Sequence, residues 1–460
     1  MSPEESRQAE VIEKLTKENE RLRAEVERLR KELEEALRRV KRQAAPFSKG
    51  RRNEDPKRPG RMGGVEYGSR AFRATPDHVD EIIAVGLPET CDCGWSIVHD
   101  NTRPQFQEEI VRETIVRRFD VEIGHCAGCG KRFQGHHRLQ TSDALGAAKV
   151  QIGPEALALA VHLNKQMGIS HERVSEIFRY GYGLTVSRSA LCRAMTRLAD
   201  KAQPIYHALS VAVRSSWVNW LDETGWRVAA RLRWLWVVRS VEVTVYAILP
   251  GRGYEQAAWI LGEDYEGFLI HDGWPPYYRF PDAFHQTCLS HLIRRCRDLV
   301  ETASAAAARF PRAVMRLLQD GLKLRDRFFQ HEITEQGLRV ATGRLEAAVD
   351  RLLSKTYRDA ANRRLAKHLC HEQPWLFTFL HCPGIDATNN AAERALRPAV
   401  VARKTWGGNR TETGAATQQI LMSVLETCHQ QGKDSFERIV ELWRARQPTV
   451  LDIVPIGGSP

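Results

Sequence analysis

Residues 216–228, SWVNWLDETGWRV, alternate large apolar side chains with polar ones, the period of two that marks a half-buried β-strand. Two more such runs follow, LRWLWVVRSVE at 232–242 and TVYAILP at 244–250, joined by connections so short that antiparallel hairpins are expected. YEQAAWILG (254–262) then reads as a short helix. GFLIHDGW (267–274) reads as a fully apolar strand ending in Asp272. The fold class expected from this order is α/β.

Three antiparallel strands, a helix and another strand is the order of an RNase H-like sheet, whose first and fourth strands lie side by side. Asp222 and Asp272 are then expected to meet. Each has a plainer reading, because strand-end aspartates often cap turns; on neighbouring strands they make a pair of hard oxygen ligands suited to Mg²⁺. A third carboxylate would close such a site, and TNNAAERALRP at 388–398 offers Glu393. If a helix begins near Asn390, then Asn389, Glu393 and Arg397 share one face. A capping box explains the same letters, with Asn390 capping the first turn and Glu393 reaching back three residues later.

The length of 460 residues suggests about three domains. Hydrophobic content of 42% supplies real cores, and the net charge of +11 points to an anionic partner. Membrane is not expected, since the most apolar stretch, 232–249, is broken by Arg233, Arg239 and Glu242. The charged N-terminus lacks the apolar core of a signal peptide, so a cytoplasmic protein with reduced cysteines is expected.

Ile12, Leu15, Asn19, Leu22, Val26, Leu29, Leu33, Ala36 and Val40 step by threes and fours, with Asn19 at an a position. Glu18–Arg23 and Glu25–Arg30 are matched g-to-e′ pairs, so a parallel coiled-coil homodimer about 43 Å long is expected. A basic tether rich in Arg, Lys, Gly and Pro follows, either lying on phosphates or merely solvated. Cys91-x-Cys93 and Cys126-x-x-Cys129, each followed by glycine, suit one structural Zn²⁺. The first knuckle is one residue short, which leaves room for His99, His125 or His136 as a ligand. The alternating stretch 105–126 reads as strands feeding the second knuckle, as in a zinc ribbon. Three helices are expected over 154–203. GYGLTV with Ser187 as N-cap resembles a helix-turn-helix that presents Arg188, Ser189, Arg193 and Arg197, though a plain helical connector fits as well.

The motifs DET at 222, HDGW at 271, and TNNAAERALRP followed by ARKTWGGNRTETGA (402–415) resemble the DDE transposases of the insertion sequence 66 family. The likeness runs over nearly the whole chain. It implies an RNase H-like catalytic core with a helical insertion, preceded by a coiled coil, a zinc ribbon and a helical DNA-binding region. It implies Asp222, Asp272 and Glu393 as catalytic metal ligands for two Mg²⁺ ions, with Mn²⁺ able to substitute. The reaction implied cuts element ends and joins the 3′ hydroxyl to target DNA. Partners implied are double-stranded DNA, a second copy of the chain and accessory proteins of the same element, in a bacterial, nucleoid-associated setting. Arg394, Arg397, Arg403 and Lys404 are candidate DNA contacts beside Arg188 and Arg193. Asn389, Asn390, Cys288 and His291 are expected to pack behind the acidic residues, with a second zinc site including Cys296 as the alternative for the last pair. Gly225 stands where the family often has proline, a difference expected to affect loop shape.

The resulting division is coiled coil 1–40, linker 41–75, zinc ribbon 76–140, helical region 141–210, core 211–292, helical insertion 293–380, and core with C-terminal helices 381–460. The alternatives are a non-catalytic DNA-binding protein, marked by loss of an acid, and a nuclease without strand transfer. Deleting residues 1–40 should leave a folded core that is monomeric at low micromolar concentration. Light scattering checks this, and a truncated chain that still dimerises would place the main contact elsewhere.

Overall fold

The computed structural model describes residues 18, 21–22, 25, 76–88, 92, 95–96, 98–107, 113–141, 143–144, 151–445 and 451–454. The chain divides into two compact units, Met1–Ile110 and Val111–Pro460. In the first, Glu18, Arg21, Leu22 and Glu25 are helical; the rest of the zipper, the tether, Cys91 and Cys93 lie outside the described residues.

The second unit opens with a hairpin of β1 (Ile123–His125) and β2 (Arg132–Gln134). Of the stretch 105–126 expected as strands, only β1 is a strand among the described residues: residues 113–122 form no ladder there. Nearly all of them are exposed, so their alternation has no core to bury against. Helix α1 (Pro154–Val161) continues into a π-helical turn at His162–Gln166. Helix α2 (His171–Tyr182) ends at Gly183, whose φ of 66° closes the helix in the left-handed region. Helix α3 (Arg188–Arg214) starts at Ser187, whose side chain accepts from the Ala190 N–H. It runs past the expected boundary near residue 203 and through Pro204, because Ile205, Leu209 and Val213 keep the apolar stripe buried.

The sheet consists of β3 (Val218–Val228), β4 (Arg231–Arg239), β5 (Thr244–Leu249), β6 (Phe268–His271) and β7 (Phe284–Thr287). Helix α4 (Tyr254–Leu261) lies between β5 and β6 in sequence. The order across the sheet is β5-β4-β3-β6-β7, antiparallel from β5 to β3 and parallel from β3 to β7. The first and fourth of the expected strands are therefore neighbours. Strand β7 was not expected: its four residues, Phe284 to Thr287, are too few and too polar to show a period. Gly225 sits inside β3 opposite Trp234, not in a loop, so what it alters is a strand position.

Helices α5 (Leu289–Thr302), α6 (Arg309–Phe329), α7 (Glu335–Leu353), α8 (Ala360–Glu372) and α9 (Thr378–His381) make the expected helical insertion with its own core around Phe310, Leu318, Leu365 and Phe379. Helix α10 (Asn390–Trp406) then returns to the sheet. Its Ala392, Ala395, Ala399 and Ala402 pack on Trp226, Val228 and Val237, and their small size brings helix and sheet close together. Helix α11 (Glu412–Gln430) covers the edge strand β5, and α12 (Ser435–Arg444) follows. Gln419, Ser423 and Thr427, spaced by four, accept from the N–H groups of Ile248, Tyr246 and Thr244. A row of polar side chains thus closes an edge that would otherwise offer free donors. No described helix is long and apolar enough to cross a membrane.

The segment after α10 clips the far end of β3. Asn409 donates from its N–H to the Arg227 carbonyl at 2.9 Å and accepts from the Ala229 N–H at 3.0 Å. Its Oδ1 takes the Trp226 Nε1 proton at 2.8 Å. Gly408, at φ 122°, leaves room for this, since a Cβ there would lie 2.4 Å from the Arg227 carbonyl oxygen. Gly408→Ala should lower the thermal midpoint by several degrees, in line with a strain of ~1–3 kcal/mol. An unchanged midpoint in scanning calorimetry would show the clip to be dispensable.

Candidate active site

The last parallel pair of β3 and β6 is Trp220 opposite Ile270. Asp222 and Asp272 each stand two residues further on, so both project at the same end of adjacent strands. Asp222 lies on the face of Trp220, Trp226 and Val228, the face that α10 covers. Glu393 is in the first turn of α10. The three meet. Burial pushes the Asp222 carboxyl up to about 8, and the negative charges of Glu223, Asp272 and Glu393 add to the shift.

The smaller contacts fix each acid. Asp222 Oδ1 accepts from the Glu223 N–H at 2.9 Å, and Asp272 Oδ1 from the Trp274 N–H at 3.0 Å. Glu393 Oε1 lies 3.6 Å from His291 Nε2 and is buried without a hydrogen-bond partner among the described residues. That finding overturns the capping box. The N-cap is Asn389, not Asn390; no side chain caps the turn. Asn389 is instead wholly buried: its Nδ2 donates to the Leu221 carbonyl at 2.6 Å and its N–H to Cys288 Sγ at 3.1 Å. Cys288 is the N-cap of α5 and His291 stands three residues later, so both lie against the start of α10.

Sequence reasoning missed a second acid. Glu223 is buried on the opposite face of β3, where Arg252 and the Tyr277 hydroxyl donate to it. Burial raises its carboxyl, and those two hydrogen bonds oppose the rise. Arg252 is stacked between Trp274 and Trp234, at 4.1 and 5.2 Å, and its Nη2 reaches to 3.9 Å from Asp272. The signal was in the letters: Glu223 directly follows Asp222 in a strand, so it must enter the other face. Glu372 was missed too. It is buried, accepts from Thr287 and Tyr278, and lies against Gly273, next to Asp272.

The basic candidates scatter. Arg188, Arg193 and Arg197 are exposed on α3, with Arg188 near Glu172. Arg394 and Arg397 line a cleft with Arg239 and His429. Lys404 is exposed, whereas Arg403 donates to Thr224 Oγ1 at 2.8 Å and to the Gly225 carbonyl, bracing β3. Asn390 opens α10 half-buried. Cys126 and Cys129 sit on the β1–β2 turn, where the Cys126 N–H bonds the Lys131 carbonyl. The N–H groups of Cys129 and Gly128 lower the Cys126 thiol. His136 is engaged by Asp143 at 2.6 Å and His99 by Thr102 at 3.0 Å.

A sequence model described as the Transposase IS66 family matches residues 149–417, a span that holds Asp222, Asp272 and Glu393. A protein of Sinorhizobium fredii, named only as uncharacterized protein y4qI, is 24% identical over 300 residues. The alignment covers 58% of this chain and 56% of that protein, so the chain spans little more than half the length of this curated relative.

Because Asp222 has its folded value near 8 against an ordinary 3.8, the unfolded chain ionises first as pH rises. Unfolding then releases a proton, and Asp222 costs stability progressively from about pH 4 to pH 8. Asp222→Asn removes that cost. In chelator its thermal midpoint should exceed wild type by a few degrees at pH 8, with the gap closing towards pH 4. Equal midpoints throughout would mean that Asp222 is not held buried beside the other acids.

Proposed function

We propose that this chain, which belongs to the transposase IS66 family, is a DDE-type enzyme that cuts element ends and joins the freed 3′ hydroxyl to target DNA. The observation that carries the reading is the convergence of Asp222, Asp272 and Glu393 from two strands and a returning helix, with Asp222 driven far above its ordinary value. The strand order supports an RNase H-like core.

The donor set fits hard divalent cations: three carboxylates, one with a buried oxygen lacking a hydrogen-bond partner among the described residues. Two Mg²⁺ ions held by Asp222, Asp272 and Glu393, or Mn²⁺ in their place, would stabilise the attacking and leaving oxygens of phosphoryl transfer. The chain's part is placement. Asn389 fixes the start of α10 to β3, so Glu393 faces Asp222. Trp274 holds one Asp272 oxygen through its backbone N–H. Arg252 neutralises Glu223, which limits the excess negative charge beside the site. Exposed Arg188, Arg193, Arg394, Arg397 and Lys404 supply positive charge for phosphates, and the overall charge of +11 steers DNA to the protein. A structural Zn²⁺ at the Cys126–Cys129 knuckle and dimerisation through residues 12–40 complete the proposal. A binding protein without chemistry has no use for buried carboxylates that repel one another, since one amide would relieve the cost.

Asp222→Asn, Asp272→Asn and Glu393→Gln should each reduce strand transfer of a labelled element end in Mg²⁺ by ~100-fold or more. Combining them should add little, because the site acts as a unit, and DNA binding should persist. Near-normal joining by Glu393→Gln beside inactive aspartate variants would remove Glu393 from the triad.

A further inference from the structure

Helices α5 and α10 begin against each other, and three different donor types meet where they do. One ligand atom from each of Cys288, His291 and Glu393 lies within 4.8 Å of the other two. Cys288 and His291 share one turn of α5, and Glu393 faces them from the first turn of α10. Three polar atoms there are buried with no hydrogen-bond partner among the described residues: Glu393 Oε1, His291 Nδ1 and Asn389 Oδ1. Such orphaned groups need a ligand or a reason. Neither the acidic triad nor the packing of α5 uses the Cys288 sulfur as more than an acceptor of backbone N–H groups, that of Asn389 at 3.1 Å among them.

We propose that Cys288, His291 and Glu393 form a site for one thiophilic divalent cation, Zn²⁺, which withdraws Glu393 from Asp222 and Asp272 and so arrests the enzyme. The inhibitory half rests on the function proposed above; the binding half does not. Sulfur with imidazole and carboxylate is a zinc donor set, whereas Mg²⁺ takes oxygen and would gain nothing from Cys288. The charges balance: a thiolate and a carboxylate neutralise a dication, so the half-buried group carries no net charge. The Asn389, His291 and Ser290 N–H groups already point to the sulfur and favour its thiolate, against the burial that raises the thiol. On binding, the cation displaces the thiol proton to solvent. The site differs from one built on Cys296, which is buried in the insertion core further along α5. Glu393 cannot serve both sets at once, which makes the carboxylate the point of competition.

The test uses the full-length chain, stripped of metal with chelator and dialysed against micromolar free Zn²⁺ in millimolar Mg²⁺. Bound zinc is counted by elemental analysis. Cys288→Ser and His291→Ala should each bind one zinc fewer per chain than wild type, while Asp222→Asn should match wild type. His291→Ala, at a half-exposed position, guards against loss of folding in the Cys288 variant. Unchanged zinc content in both variants, with native thermal midpoints, would overturn the site. In wild type, strand transfer should fall at least tenfold over the same range of free zinc that fills this site, and return on chelation. Filling without inhibition would overturn the competition. A wild type that binds the zinc but never joins DNA would count against the function proposed above and leave the binding site standing.

Discussion

The hydrogen bond from Asn389 Nδ2 to the Leu221 carbonyl, 2.6 Å long and buried, joins segments 168 residues apart in sequence. Leu221 lies one residue beyond the last β3–β6 pair, where the sheet stops providing a partner for that carbonyl. Asn389 supplies one, and its own backbone N–H reaches across to Cys288. One residue, through its side chain and its backbone N–H, therefore holds the strand of Asp222, the start of the insertion and the helix of Glu393 in register. The buried Nδ2 donor is costly to leave unsatisfied, while Oδ1 of the same amide is buried without a hydrogen-bond partner among the described residues.

What that register enforces is electrostatic crowding. One aspartate within β3, one just past β6 and a helix glutamate would separate if the chain allowed it. Burial raises Asp222 to about 8, and the surrounding charges push the same way. The fold does not relieve this on the α10 face. It does on the other face, where Glu223 is given Arg252 and the Tyr277 hydroxyl, and Arg252 is itself clamped between two tryptophans. Two adjacent acids in one strand are thus treated in opposite ways. One is paired with a cation, and the other is kept short of positive charge.

The pleated runs from Trp217 to Leu249 were legible because each strand is long, aromatic and bounded by a tight connection. Asp222 and Asp272 followed from strand order alone. The helix of Glu393 was legible too, but its cap was not, because a sequence shows that Asn390 and Glu393 stand three apart and not that Asn389 has a partner in β3. Strand β7 was invisible: four residues carry too little period, and what makes them a strand is β6 beside them. The Arg252–Glu223–Tyr277 group was missed for a similar reason, since its members are scattered over three separate elements and no spacing rule links them. Local pattern was readable, and pairing across the fold was not.

The segment TWGGNRTETGA shows how a run that looks functional can serve the site from a distance. Gly408 permits a close approach, Asn409 fastens to Arg227, Ala229 and Trp226, and Thr411 caps α11. Arg403, one turn before the end of α10, grips Thr224 and Gly225 in β3. These contacts lie at the end of β3 away from Leu221, so the strand is held by α10 at both ends: by Asn389 where the helix starts, and by Arg403 and Asn409 where it finishes. A helix fixed only at its start could tilt and carry Glu393 with it. With the alanine face seated on Trp226 and Val237 and both ends tied, rotation about the helix axis is the remaining freedom, and the tie at Asn389, one residue before the first turn, opposes it. The position of one carboxylate is thereby set by the whole length of α10.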